Sequence, residues 1–184
     1  MKKLTILICL FFSLCYFSLI SYSQDNLQIS NLISSSGKEY GINKLLPGEY
    51  QYMDRDYQLN YVPAELKGCL HIKTCGNDKL INENDECVSF NCNCDVDVYI
   101  LFADKFPEIP QWLNQFERTR LNVTRIDSNP DNLKGYFCLY RKSFPKGKIE
   151  LNGCSPKIML EKKGFIESMG SGYCMYTIVV QKKL

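Results

Sequence analysis

Between Tyr50 and Gln181, clusters of Gly, Pro, Asn and Asp cut the sequence into short runs rich in β-branched and aromatic residues. This punctuation constrains the fold most, because runs so short suit single crossings of a sheet and leave little room for helices. Strands are predicted at 50–53, 57–62, 69–74, 87–91, 96–102, 121–126, 136–141, 148–151 and 174–181. Within the 96–102 run, Val96, Val98, Ile100 and Phe102 share one face and offer a continuous apolar side to a core. In the 69–74 run, Leu70 and Ile72 alternate with Cys69, His71 and Lys73. One short helical turn is expected at 110–116, where Pro110 suits a helix start and Phe116 falls on the same side as Trp112. The expected architecture is an all-β, antiparallel β-sandwich of jelly-roll type with at most one short helix.

The start of the chain reads as an export signal. Lys2 and Lys3 precede an apolar run from Leu4 to Ile20, and Ser21-Tyr22-Ser23 places small residues at a cleavage site. The predicted organisation is a signal peptide at 1–23, an opening strand and turn at 24–47, and the sandwich at 48–184, with the mature chain starting at Gln24. Removing Lys2 and Lys3 from the 22 basic residues leaves them equal in number to the 20 acidic ones. A neutral product gives no electrostatic ground for binding nucleic acid or an anionic membrane.

Beyond the leader stand Cys69, Cys75, Cys87, Cys92, Cys94, Cys138, Cys154 and Cys174. In an exported chain an even set like this reads as a disulfide framework. Cys75–Cys87 and Cys154–Cys174 are the expected local pairs, each drawn as closing a hairpin, with Cys92 and Cys94 reaching Cys69 and Cys138. A single histidine and no Cys-x-x-Cys argue against zinc, so no metal or cofactor is expected. Asn122-Val123-Thr124 is a glycosylation sequon, and the alternation of Asn122 with Leu121 and Val123 turns it outward.

Catalytic patterns are missing: no nucleophile elbow, no His-Glu-x-x-His and no phosphate-binding loop occurs, and His71 lies inside a predicted strand. The acids of Glu83-Asn84-Asp85-Glu86 read as a solvated turn. Candidate ligand-binding residues are Asp54, Arg55, Asp78, Lys79 and Trp112. With Asp54 orienting it between Tyr52 and Tyr57, Arg55 can offer a planar fork to sugar hydroxyls or a carboxylate; the alternative is a loop salt bridge. Trp112 offers a face for a sugar ring, or else plugs the core beside Leu113 and Phe116.

The order Ile29-Ser30-Asn31-Leu32, Ser36-Gly37-Lys38-x-Tyr40, Tyr52-x-Asp54-Arg55-x-Tyr57, Val62-Pro63, Leu66-x-Gly68, Asn77-Asp78-Lys79, Pro110-x-Trp112-Leu113, Phe144-Pro145-x-Gly147 and Met175-Tyr176-x-Ile178-Val179-Val180 carries a resemblance. It resembles the accessory β-sandwich modules of secreted bacterial polysaccharide-degrading enzymes such as pectate lyases, which are similar to galactose-binding-like jelly rolls. The resemblance implies a non-catalytic module that binds an extracellular carbohydrate. The alternative is a structural or cell-surface domain whose partner is a protein.

Overall fold

The computed structural model describes residues 27–127, 134–156 and 173–183. The expected signal peptide and the Gln24 start lie outside the described residues. Strands run in the order β1 (Ile29–Ser34), β2 (Gly41–Lys44), β3 (Gln58–Tyr61), β4 (Leu70–Lys73), β5 (Glu86–Cys92), β6 (Val96–Ala103), β7 (Glu117–Ile126), β8 (Lys134–Phe144), β9 (Gly147–Asn152) and β10 (Thr177–Lys182). A three-stranded sheet has the order β1-β5-β9, and a seven-stranded sheet has the order β2-β4-β10-β6-β8-β7-β3. Every strand pairing is antiparallel, as the expected sandwich requires. Among the described residues there is no α-helix. The expected turn is a 3₁₀ turn, Gln111–Gln115, and two more occur at Ala64–Leu66 and Gly76–Leu80. No helix among the described residues is long and apolar enough to cross a membrane.

β6 is the centre of the large sheet, and it is buried on both faces. The predicted apolar phase of Val96, Val98, Ile100 and Phe102 is inside, but so is the phase of Tyr99, Leu101 and Ala103. β8 and β10 flank β6, setting Leu101 opposite Leu139 and Ile100 opposite Ile178, so branched and aliphatic side chains meet in cross-strand pairs. On the small sheet, Phe90 opposes Ile149 and Val88 opposes Leu151, all four buried.

Two expectations about strands are corrected. Residues 50–53 form no strand and make only an isolated bridge from Tyr50 to Gln58, while β2 occurs where no separate strand was expected. β2 is a short edge strand, largely exposed, so it lacks the apolar alternation by which strands are recognised. The hairpins behind the favoured cysteine pairs are likewise absent. β4 and β5, which Cys75 and Cys87 were to link, belong to different sheets, as do β9 and β10 on either side of Cys154 and Cys174.

The plug at 111–115 closes one end of the sandwich. The Trp112 indole N–H donates to the Gly153 carbonyl at 2.7 Å, and its ring meets Phe116 and Tyr176, each with centroids 5.6 Å away. Gly153 is required there, because a Cβ would stand 2.3 Å from the carbonyl oxygens of Ile81 and Asn82. Asn122 is exposed on β7 while Val123 is fully buried, the orientation the sequon reading called for.

Candidate functional site

The strongest convergence of expected and unexpected residues is a recess lined by Tyr52, Arg55, Tyr57, Gly76, Lys79, Arg125, Tyr173 and Cys174. Its volume is about 50 Å³, enough for roughly three or four water positions. The loop between β2 and β3 supplies Tyr52, Arg55 and Tyr57, and the turn after β4 supplies Gly76 and Lys79. β7 supplies Arg125, which sequence reasoning overlooked.

Arg55 is held from two sides. It donates to the Asp54 carbonyl at 2.8 Å and to Asn77 Oδ1 at 2.5 Å, with the Asp54 carboxylate 3.4 Å away. Asp54 in turn accepts the Gly76 N–H at 2.7 Å, tying the two loops together. A Cβ on Gly76 would stand 3.4 Å from Arg55 Cγ and Asp54 Oδ1, ordinary van der Waals contact, so the two loops pack closely here. Both readings of Arg55 therefore meet in one geometry: the loop contact exists, and it presents the guanidinium to the recess.

Arg125 forms the floor and is fully buried. It stands opposite Gly135 across β7 and β8, where a Cβ would lie 2.9 Å from its Nε, so the missing side chain makes room for the guanidinium. The guanidinium carbon lies 4.1 Å from the Tyr57 ring centroid and 5.5 Å from that of Tyr52, an aromatic setting that favours a cation. Asp127 Oδ1 is 3.2 Å from its Nε, but neither atom makes a hydrogen bond. The terminal nitrogens reach Gln51 Oε1 at 3.5 Å and Cys174 Sγ at 3.3 Å. Burial pushes the Tyr52 hydroxyl well above the ordinary tyrosine range, and this neutral phenol donates to the Met175 carbonyl at 2.6 Å. A signal for Arg125 was present in Val123-x-Arg125-x-Asp127, a basic and an acidic residue in the apolar phase of a strand.

Of the five residues singled out from the sequence, Arg55 and Lys79 line the recess and Asp54 supports it. Asp78 serves elsewhere. Its buried carboxylate accepts from Ser36 Oγ at 2.8 Å, Lys38 Nζ at 2.5 Å and Tyr40 OH at 2.7 Å, fastening the β1–β2 connection to the turn at 76–80. Trp112 sits in the end plug with its N–H committed to Gly153. His71 on β4 is fully buried, neither ring nitrogen has a hydrogen-bond partner, and burial, followed by Lys73, lowers its pKa to about 3. The acids on either side of β5 are spread out: Glu83, before the strand, accepts the Gln111 N–H, while after it Asp95 accepts the Lys146 N–H and Asp97 accepts from Arg141 and Ser143.

No sulfur–sulfur bond joins any two of the eight cysteines. Cys92 ends β5 and Cys94 lies in the following bend, so the two do not share a strand face. Burial pushes the Cys87 and Cys92 thiols up to about 11, and it also raises Cys75, Cys138, Cys154 and Cys174. Thiols shifted in this direction are poor nucleophiles at neutral pH. Cys154 is close enough to Cys87 and Cys174 for both to add to its shift.

Fold and recess together define a small antiparallel β-sandwich with a cationic, tyrosine-walled hollow between loops. The chain matches no protein-family model and no curated protein sequence. Among solved structures it is similar to a β-glucuronidase from glycoside hydrolase family 2, with a TM-score of 0.62 and 17% identity over 83% of this chain and 14% of that one. It is also similar to a GH138 enzyme targeting pectin rhamnogalacturonan II, with a TM-score of 0.51 and 14% identity over 82% of this chain and 16% of that one. At these identities the likeness is one of fold, and the chain spans about a seventh of the length of either enzyme.

Proposed function

We propose that this chain is a secreted, non-catalytic module that binds an extracellular carbohydrate through the recess around Arg55, Lys79 and Arg125. The observation that carries the reading is the recess itself: an Arg55 guanidinium held from two sides beside tyrosine rings, on a sandwich similar in fold to parts of two carbohydrate-active enzymes. The non-catalytic part rests on the resemblance to accessory modules and on the missing catalytic motifs; the buried His71 argues only against a histidine-dependent reaction. Export rests on the leader-like start, and so does oxidation of the eight mature cysteines into four bridges.

Replacing Arg55 by Ala tests the site. Its side chain is 36% exposed and its acidic partner Asp54 is 26% exposed, so the ion pair contributes roughly 1 kcal/mol or less to stability. The Arg55→Ala melting temperature is expected to stay within about 3 °C of wild type, while glycan affinity falls about tenfold or more, roughly 1.4 kcal/mol. A variant that melts much lower and binds as before would make Arg55 a loop fastener only.

Non-reduced peptide mapping of exported material tests the bridges. It is expected to find no free thiol and Cys154 linked to Cys174, with Cys87 the competing neighbour. A free thiol among the eight contradicts the four-bridge proposal.

A further inference from the structure

We propose that a second hollow seats one neutral hexopyranose residue; this rests on the carbohydrate-binding reading but uses none of the residues that line the Arg55 recess. The hollow has a volume of about 230 Å³, against about 50 Å³ for the recess. On the scale that gives the recess three or four waters it holds roughly fifteen, room for a whole sugar ring with its hydroxyls. Phe102, Phe106, Pro107 and Ile109 supply an apolar wall, and Asp104, Arg118 and Tyr140 supply a polar one. Cys138 and Tyr140 lie in the phase of β8 opposite to that of Gly135, so the hollow opens on the face of the large sheet away from Arg125.

The backbone aims the polar groups. Between Arg118 and Asn122, three residues of β7 stand against Leu139 alone on β8, and Thr119 pins this bulge: its hydroxyl donates to the Leu139 carbonyl at 2.9 Å and accepts the Leu121 N–H at 3.1 Å. A bulge turns the side chain beside it. Arg118 pairs with Tyr140 in register, yet its Nη2 reaches Cys138 Sγ at 2.9 Å, along the lining of the hollow. Sulfur is a weak acceptor, so the guanidinium keeps strong donor capacity for a ligand. Asp104 follows β6, held by its N–H, which donates to the Tyr136 carbonyl at 3.0 Å.

The unused hydroxyl of Tyr140 is the observation that points to a ligand. The residue is only 7% exposed, and among the described residues its hydroxyl has no hydrogen-bond partner. Polar groups so far inside a folded protein are bonded as a rule, and the partner of this one has to come from the hollow that it lines. Burial raises its pKa, which keeps it a neutral phenol able both to donate and to accept. Arg118 and Asp104 add one charge of each sign to the lining, so the hollow favours an uncharged ligand. A carboxylate only accepts, a guanidinium only donates and the phenol does either, a set that neighbouring ring hydroxyls satisfy together. The C–H face of the same ring then packs on the apolar wall.

The test is NMR titration of the isotope-labelled mature chain with the methyl pyranosides of glucose, galactose and mannose. At least one sugar is expected to shift the amide signals of Asp104, Phe106, Arg118, Cys138 and Tyr140 in a saturable way. Tyr140→Phe, which gives up no hydrogen bond within the protein, is expected to keep the melting temperature and to weaken that binding about fivefold or more. Asp104→Asn is expected to weaken it likewise, and Arg55→Ala to leave it unchanged. Saturable shifts confined to the Arg55 recess, or wild-type affinity in both Tyr140→Phe and Asp104→Asn, overturn the second site and leave the recess reading standing. Shifts at the second hollow, in a chain whose glycan binding Arg55→Ala spares altogether, support the second site and overturn the recess. No saturable shift with any of the three sugars overturns the second site.

Discussion

Asp127→Ala is expected to destabilise the protein by about 3–5 kcal/mol, because it strands the Arg125 charge in the core. Arg125 is fully buried and the Asp127 side chain is only 7% exposed, with 3.2 Å between them. Taking a guanidinium out of water costs several kcal/mol, and Asp127 is the acidic side chain in ion-pair contact with it. The Tyr57 face at 4.1 Å offsets part of that cost, roughly 1–2 kcal/mol for a desolvated cation–π contact. The double variant Arg125→Met/Asp127→Ala is expected to lose less than Asp127→Ala alone, since a Met fills the hollow opposite Gly135 without a charge. Removing the exposed Glu150 carboxylate from Lys148 on β9 is the control and is expected to leave the denaturation midpoint unchanged. Urea denaturation of the four proteins reads these differences directly. If Asp127→Ala and the Glu150 control behave alike, the Arg125 charge is neutralised by something other than Asp127.

The second large effect is on pH. His71 is the sole histidine, its folded pKa is lowered to about 3 by burial, and its unfolded value is near 6.5. Below pH 6.5 the unfolded chain takes up a proton that the folded chain refuses, so acid favours unfolding. The stability is fully present above the unfolded pKa and drains away between about 6.5 and 3. Lowering the pH from 7.5 to 5.0 is expected to cost about 2 kcal/mol, since carboxylates begin to titrate mainly below that range. His71→Leu, which gives up no hydrogen bond, is expected to flatten the slope over the same interval. A variant that keeps the wild-type slope would place the acid sensitivity elsewhere.

These two residues mark how far the sequence is legible. Strands dense in apolar residues, such as β6 and β10, are read directly, although both side-chain phases are buried there and the single apolar face expected of β6 is only half of what lies inside. The outer arms of β7 and β8 are longer than the predicted 121–126 and 136–141, since their added residues are largely exposed and carry no alternation. Which sheet a strand joins is not written in its own residues. Cys75 and Cys87 are close in sequence, but the chain crosses from one sheet to the other between them, and pairing is settled by contacts distant in sequence.

The site was half legible. Arg55 and Lys79 are visible because they sit among turn residues, where polar side chains have no packing role to explain them. Asp78, in the same stretch, is drawn inward by Lys38 and Tyr40, partners about 40 positions away that no local pattern reveals. Arg125 hides in a strand in the phase of Val123, and its place depends on Gly135 lying opposite across the sheet. A tertiary gap of that kind has no local signature.

Carbohydrate binding by the recess is the central claim, and a glycan array probed with the purified mature chain tests it most directly. Strong signals that persist without calcium and weaken with Arg55→Ala are the result this account predicts. Silence across the array, with a protein partner recovered by pull-down instead, would contradict it.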